Sequence, residues 1–420
     1  MRKDAVDRQK EVYVKGLGNV QPGIPASPER LEAKARECMS PRAFAYVAGG
    51  AGEEQTMLNN RSGFETWKII PRMLKDVSER DISTTLFGQR YPSPFLLAPI
   101  GVLELAHKEA ELAVAQAAKA HGVPMIFSNQ ASVAMEQVAE ALGDTPRWFQ
   151  LYWSKSDELV KSLVQRAENC GCTAIVVTLD TTLLGWRTRD IDLAYLPFLT
   201  GKGIAQYTSD PVFNKLVDED ENSSSALKPP VNWDTILNVL SLMRNYPGGF
   251  WSNLRSKRPL KAVAKFINIY SRPSLTWNDL KALRKMTRLP ILLKGILHPD
   301  DARLAVQHGV DGLVVSNHGG RQVDGAISAI EALPAIVQEV DGKIPVLMDS
   351  GIRSGADTLK ALALGARAVL LGRPYVYGLA INGASGVAEV LKNFTADFEL
   401  NMALAGCRSV SEIGKHCLSR

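Results

Sequence analysis

The sequence predicts an α/β protein: an eight-stranded parallel (β/α) barrel of the TIM type, with an N-terminal helical extension and a long insertion after the fourth strand. Three observations point there. Short β-branched or aliphatic runs recur eight times from Phe95 onward, helical segments of about a dozen residues lie between them, and the runs end in polar residues. An open, doubly wound sheet is the alternative.

Taken in order, the charged opening from Met1 to Lys10 lacks the apolar stretch of a signal peptide. No apolar run reaches the roughly 18 residues of a membrane span, so a cytoplasmic location without stable membrane insertion is expected. Residues 27–60 read as helical because Leu31, Ala35, Phe44 and Val47 recur at helical spacing, with a glycine-rich break at Gly49-Gly50-Ala51-Gly52. The eight runs are Phe95-Leu-Leu-Ala-Pro, Pro124-Met-Ile-Phe-Ser, Trp148-Phe-Gln-Leu-Tyr, Ala174-Ile-Val-Val-Thr-Leu, Pro290-Ile-Leu-Leu-Lys, Gly312-Leu-Val-Val-Ser, Ile344-Pro-Val-Leu-Met and Ala368-Val-Leu-Leu-Gly. Helices are expected from Glu109 to His121, Asp157 to Asn169, Asp300 to His308 and Ser354 to Leu364.

About 95 residues separate Leu179 from the fifth run, where the other units need about 30. This insertion, residues 190–275, holds the acidic cluster Asp218-Glu-Asp-Glu221 and three serines. A stretch from Ile236 to Asn278 with several cations and no acid follows. A flexible lid over the barrel mouth or an oligomer contact is expected, with attachment to a membrane surface through Phe250, Trp251 and neighbouring cations as the lesser alternative. The chain thus divides, as one domain over 1–420, into an extension (1–94), a barrel (95–385) with its lid (190–275), and a C-terminal helical segment (386–420).

Composition narrows the function. Hydrophobic residues at 45% and charged residues at 22% describe a globular protein with a core. The net charge of +5 is mild, suiting an anionic substrate and giving no reason to expect nucleic acid. Five scattered cysteines without paired CxxC spacing predict reduced thiols and no metal site.

Barrel enzymes place chemistry at the carboxyl ends of the strands. The runs deliver Pro99, Ile100 and Gly101 after the first, Ser128 after the second, Gln150 and Tyr152 on the third, and Thr178 and Asp180 on the fourth. Lys294 follows on the fifth, Asn317 and His318 on the sixth, Asp349 on the seventh, and Gly372 with Arg373 on the eighth. Any one of these is ordinary turn chemistry; the set describes a site. Lys294 directly follows a buried run, so its ammonium needs an anionic or electron-rich partner, which a flavin ring provides. The turns Asp349-Ser-Gly-Ile-Arg-Ser-Gly355 and Leu371-Gly-Arg-Pro-Tyr375 each open a helix after a late strand, where barrels commonly bind phosphate. Ser316-Asn-His-Gly-Gly-Arg-Gln322 sets an imidazole three residues from a guanidinium, a base beside a carboxylate clamp.

On these residues the chain resembles the FMN-dependent 2-hydroxy-acid oxidases and dehydrogenases, the glycolate oxidase and lactate oxidase family, from about Ala33 to Cys417. Tyr46-Val-Ala-Gly-Gly, Ala98-Pro-Ile-Gly-Val, Gly185-Trp-Arg, Pro197-Phe-Leu and the long insertion are similar to its lactate 2-monooxygenase branch. The resemblance implies FMN as cofactor, His318 as the base, Asp180 as partner of the resulting imidazolium, and Tyr152 at the substrate hydroxyl. Arg321, Arg187 and Tyr46 would hold the substrate carboxylate. Lys294 would sit at the pyrimidine edge of the flavin, Pro99, Ile100, Gly101, Ser128, Gln150, Thr178 and Ser316 around its ring, Asp349 at the ribityl chain, and Gly351, Arg353, Gly372 and Arg373 at the phosphate.

Gly101 stands where the oxidases usually carry alanine; in the monooxygenase branch the smaller residue goes with keeping the keto acid bound so that it loses carbon dioxide. Gln130 departs from glycolate oxidase, which has a pocket tryptophan there, and Leu184 also shapes the pocket. The implied activity is oxidation of a small (S)-2-hydroxy acid by molecular oxygen. It ends either in decarboxylation, lactate giving acetate and carbon dioxide, or in release of keto acid and hydrogen peroxide. A homo-oligomer, tetramer or octamer, is implied too. A quinone-linked dehydrogenase, a phosphate-binding barrel that sequesters a ligand without redox work, and a flavin isomerase are the remaining alternatives.

Overall fold

The computed structural model describes residues 4–219, 230 and 232–420. Eight parallel strands close into a barrel: Phe95–Leu97, Met125–Phe127, Arg147–Leu151, Ile175–Thr178, Ile291–Ile296, Gly312–Val315, Val346–Met348 and Val369–Leu371. The eighth pairs with the first, Val369 opposite Phe95 and Leu371 opposite Leu97, so no edge is left open. Each expected run overlaps one of these strands; the third strand starts one residue before its run and the fifth extends two residues past its run. The four expected helices also form, as Ala110–His121, Asp157–Asn169, Pro299–Gln307 and Gly355–Ala363.

Side-chain alternation divides the apolar runs between two cores. Leu96, Ile126, Trp148, Val176, Leu292, Val314, Leu347 and Leu370 fill the barrel interior. Leu97, Phe127, Phe149, Val177, Leu293, Leu313 and Met348 pack instead against the surrounding helices. Both faces are buried, which is why the strands read as continuous aliphatic runs.

The extension is less purely helical than expected. A hairpin, Thr84–Leu86 with Gln89–Tyr91, closes the amino end of the barrel: Leu86, Phe87 and Tyr91 join the interior core, and the Phe87 ring lies 5.8 Å from that of Trp148. The opening also forms a helix, Ala5–Leu17, capped by Asp4. Residues 27–60 form three helices, Pro28–Cys38, Pro41–Ala48 and Gln55–Glu65. Ser27 and Ser40 cap the first two with proline at the first position, so each Ser-Pro pair starts a new helix.

The insertion is largely helical where described, through Thr188–Asp192, Ala205–Thr208, Pro211–Asp218, Trp233–Asn245, Phe250–Ser256 and Arg258–Ile269. An aromatic cluster anchors it: Tyr207 and Phe266 have ring centroids 4.8 Å apart, Phe198 and Phe266 5.2 Å, and Tyr207 accepts a hydrogen bond from Asn129 Nδ2 at 2.8 Å. These buried aromatics tie this part to the loop after the second strand. Asp220, Glu221 and the three serines fall outside the described residues.

The final helix, Arg373–Leu404, joins the eighth barrel helix to the C-terminal one across a kink at Asn382 and Gly383. Its two halves touch through glycine, since a Cβ on Gly386 would lie 1.9 Å from the Gly378 carbonyl oxygen. Beyond Leu404 the expected helix gives way to two short 3-10 turns, Val410–Glu412 and Lys415–Cys417, and the chain turns back so that Leu418–Ser419 pairs with Lys68–Ile69. Among the described residues no helix is long and apolar enough to cross a membrane.

Candidate active site

At the carboxyl ends of the strands lies a cavity of about 380 Å³. Tyr46, Pro99, Ile100, Gly101, Tyr152, Arg187, Lys294, His318, Arg321, Asp349, Gly351, Arg353, Gly372 and Arg373 all line it. Four expected neighbours of the flavin ring, Ser128, Gln150, Thr178 and Ser316, stand one layer back, and Asp180 is where the partner of His318 is expected. Ser128 Oγ donates to Gln150 Oε1 at 3.2 Å, Gln150 Nε2 donates to Thr178 Oγ1 at 3.0 Å, and Lys294 Nζ donates to Ser316 Oγ at 2.8 Å. Asp180 lies behind His318. These side chains reach sideways to the next strand and so brace the wall instead of forming its surface.

His318 sits at φ +57, in the left-handed region, followed by Gly319 and Gly320 at +65 and +76. That turn is pinned from behind: Ser316 Oγ accepts from His318 N at 3.0 Å, and Ser350 Oγ accepts from Gly319 N at 3.0 Å. His318 Nδ1 lies 2.8 Å from Asp180 Oδ1, and Thr181 Oγ1, itself donating to that carboxylate, is 3.3 Å away. Nε2 remains as the nitrogen available to a ligand. Burial lowers the His318 pKa, opposed in part by Asp180, so the resting imidazole is neutral. Burial works to raise the Asp180 pKa, but the charges of His318 and Lys294 and the hydrogen bonds of His318 and Thr181 outweigh it and hold the carboxyl at about 2.

Lys294 is buried, with Nζ 3.1 Å from Asp349 Oδ2. Burial alone would lower its pKa; the Asp349 and Asp180 carboxylates prevail and raise it, so the ammonium stays charged. Arg187 and Arg321 stand over the Tyr46 ring, 5.8 Å and 5.0 Å from its centroid. The glycine-rich break brings this ring in: Ala51 N donates to Gly320 O at 2.9 Å, and a Cβ on Gly50 would come within 2.9 Å of that same oxygen. Burial and the neighbouring Arg187 push the Arg321 guanidinium down to about 9.

At the other end, burial and the charge of Arg373 push Arg353 down to about 10, and burial lowers Arg373. Among the described residues Arg373 donates only to neutral acceptors, Val47 O at 3.1 Å, Gly49 O and Gly319 O at 2.9 Å, and Met57 Sδ at 3.5 Å. Among the described residues neither guanidinium forms an ion pair with a carboxylate. Two half-buried cations without an ion-pair partner, Arg353 directly before the N-terminus of Gly355–Ala363 and Arg373 on the same cavity, suit an anion carrying more than one charge. A Cβ on Gly372 would meet only Ile100 Cδ1, at 3.8 Å, which leaves that backbone open to the cavity. A phosphate at this end, hydroxyls at Asp349, and an electron-rich ring over Pro99 and Ile100 beside Lys294 fit a phosphorylated flavin.

The comparisons agree. A profile of the FMN-dependent dehydrogenases matches residues 35–420. The chain belongs to the FMN-dependent dehydrogenase family. It is 43% identical over 413 residues to the FMN-dependent alpha-hydroxy acid dehydrogenase qulF of Penicillium citrinum, covering 98% of this chain and 95% of that one. It is also 43% identical over 380 residues to an L-lactate oxidase of Lysinibacillus sphaericus, covering 90% and 89%. The crystal structure of mandelate oxidase with (S)-4-hydroxymandelic acid superposes with a TM-score of 0.77 at 37% identity, over 94% of this chain and 98% of that one. This member of the family is an FMN-dependent 2-hydroxy-acid oxidoreductase.

Several contributors were not singled out by sequence. Thr181 and Ser350 steady the His318 turn, and Gln322 Nε2 donates to the Asp180 carbonyl at 2.6 Å. Leu196, Phe266, Ile267 and Tyr270 of the insertion join Phe198 of the Pro197-Phe-Leu motif in walling the cavity. Helical spacing of Val263, Phe266, Ile267 and Tyr270 was the available signal.

One buried acid has no evident part in the chemistry. Glu111 Oε1 accepts from Ser132 N at 3.0 Å, while Oε2 has no hydrogen-bond partner among the described residues. Burial foremost, opposed by the Ser132 hydrogen bond, pushes its pKa up to about 7. The folded protein therefore holds this proton more tightly than the unfolded chain. Its stabilising effect is complete below about pH 4.5 and is lost as pH rises to about 7, a change on the order of 3 kcal/mol. Glu111→Gln should raise the Tm relative to wild type more at pH 8 than at pH 5; a difference independent of pH contradicts this.

Proposed function

We propose that this enzyme oxidises a small (S)-2-hydroxy acid with molecular oxygen and carries the product on to the decarboxylated acid, as lactate would give acetate and carbon dioxide. The observation that carries this reading is Gly101, a cavity-wall position without a side chain, under the roof of Phe198, Phe266 and Tyr270. A Cβ there would lie 3.0 Å from the Gln130 carbonyl oxygen and 3.1 Å from Gln130 Cβ, so alanine would push into this corner. The glycine and the roof favour retention of the keto acid.

FMN, when bound, accepts two electrons from the substrate and passes them to oxygen. Arg321 and Arg187 hold the substrate carboxylate beside Tyr46. His318 Nε2 takes the proton, and Asp180 stabilises the imidazolium through Nδ1. Burial and the Asp180 charge push the Tyr152 phenol up to about 12, so it stays protonated and donates to the substrate oxygen. Lys294 supplies a fixed positive charge on the cofactor wall, and Arg353 and Arg373 bind the phosphate. The same reading takes the chain to be a cytoplasmic homo-oligomer, a tetramer or octamer.

The second reading is a simple oxidase, favoured by the resemblance to L-lactate oxidase. Anaerobic reduction with (S)-lactate followed by a pulse of oxygen separates them. Acetate and carbon dioxide are the expected products, whereas pyruvate with hydrogen peroxide establishes the oxidase.

A further inference from the structure

Tyr152 lies one residue past the third strand, Arg147–Leu151, where the ladder to the second strand has already ended at Phe149 opposite Phe127. Its backbone N–H is met instead by a side chain, donating to Asn129 Oδ1 at 3.1 Å. Since an N–H can only donate, the amide oxygen must face Tyr152, which turns Nδ2 toward the Tyr207 hydroxyl oxygen, 2.8 Å away. Asn129 N completes the arrangement by donating to Gln150 Oε1 at 3.2 Å. Asn129 and Tyr207 are fully buried, and both stand behind the cavity wall, whereas Tyr152 is part of it.

Tyr207 belongs to the insertion. The short helix that carries it, Ala205–Thr208, is docked on the loop after the second strand: Ala205 N donates to Ala131 O at 3.0 Å, and Met135 N donates to Gln206 Oε1 at 3.0 Å. Near the far end of the insertion, Ile269 O accepts from Lys155 N at 3.0 Å and from Ser154 Oγ at 2.7 Å. Residues 152–155 are therefore gripped from both ends of the insertion, which also walls the cavity with Phe266, Ile267 and Tyr270.

Resting on the reading that Tyr152 donates to the substrate oxygen, we propose that Asn129 is a positioning residue. Anchored by Tyr207, its amide fixes the Tyr152 backbone and so makes the aim of the phenol depend on the docked insertion. Loss of the Tyr207 hydroxyl removes the acceptor that orients Nδ2, and an amide free to rotate no longer holds Tyr152 N. Misplacing a reacting group by an ångström costs on the order of 10²-fold in rate, so even a partial release is measurable.

The test is the limiting rate of anaerobic flavin bleaching in the FMN-loaded enzyme, with whichever of (S)-lactate, glycolate, (S)-2-hydroxybutanoate and (S)-mandelate reacts fastest. Tyr207→Phe keeps a ring to pack on Phe213 and Phe266, 5.5 and 4.8 Å between centroids, so the insertion should still fold. It should lower the limiting rate by roughly tenfold while moving the substrate dissociation constant by less than about threefold. In a Tyr152→Phe background, where there is no phenol to aim, the same change should cost less than about twofold. Asn129→Leu should slow bleaching at least as much, and adding Tyr207→Phe to it should bring nothing further. An undiminished rate in Tyr207→Phe overturns the proposal. So does an equal loss with and without the Tyr152 hydroxyl, which is what a purely structural contact gives. A Tyr152→Phe variant as fast as wild type, or a wild-type flavin that none of the four acids bleaches, removes the reading beneath the proposal and the proposal with it.

Discussion

His318→Asn is expected to lower kcat/KM for a 2-hydroxy acid by about 10²- to 10⁴-fold while the purified protein stays yellow. The loss follows from the way the ring is held. Nδ1 is engaged by Asp180 at 2.8 Å, so only Nε2 can take a proton, and burial keeps the resting ring neutral and able to do so. Asparagine suits the test because the backbone at φ +57 is one it tolerates, so the Ser316 to Gln322 turn should survive. With the imidazole pKa below its ordinary value of 6.5, the acid limb of kcat/KM should be centred below pH 6.5. A limb centred above pH 7 would show that another group governs the rate.

Lys294→Met should be the more damaging change to the holoenzyme. Nζ lies 3.1 Å from Asp349 and 2.8 Å from Ser316, and removing it strands a buried carboxylate, typically a loss of about 3–5 kcal/mol. Both a lower Tm and a colourless or weakly flavinated protein are expected. The double variant Lys294→Met with Asp349→Asn removes the stranded charge, so it should recover much of the Tm without recovering turnover. Recovery of both would make Lys294 a structural ion-pair partner only. Lys294→Arg should fail to rescue turnover, because a planar guanidinium does not fit the space of a compact ammonium.

The barrel was legible because its strands are buried on both faces and therefore appear as unbroken aliphatic runs punctuated by turns. The hairpin beneath it was not, since Thr84–Leu86 and Gln89–Tyr91 are too short to show a period and two of the last three residues are exposed. The insertion read as a loop because its order comes from tertiary contacts of Tyr207 and Phe266, which no local pattern announces. His318 and Arg321 stood out through their company in one glycine-loosened turn. Ser128, Gln150 and Thr178 were assigned to the site from their strand-end positions, yet they turn to one another; position along a strand does not say which neighbour a side chain meets. Thr181 and Ser350 were hidden beside the carboxylates Asp180 and Asp349, whose chemistry drew the assignment.

One cavity brings the His318 imidazole, the Arg187 and Arg321 guanidiniums and the buried Lys294 ammonium to where a single flavin and a single 2-hydroxy acid would meet. Anaerobic mixing of the purified enzyme with a panel of 2-hydroxy acids tests it most directly. Wild type should lose its visible flavin absorbance and form one keto acid per flavin, with His318→Asn remaining yellow over the same interval. A wild-type protein that takes up no FMN, or whose flavin no 2-hydroxy acid bleaches, contradicts the account.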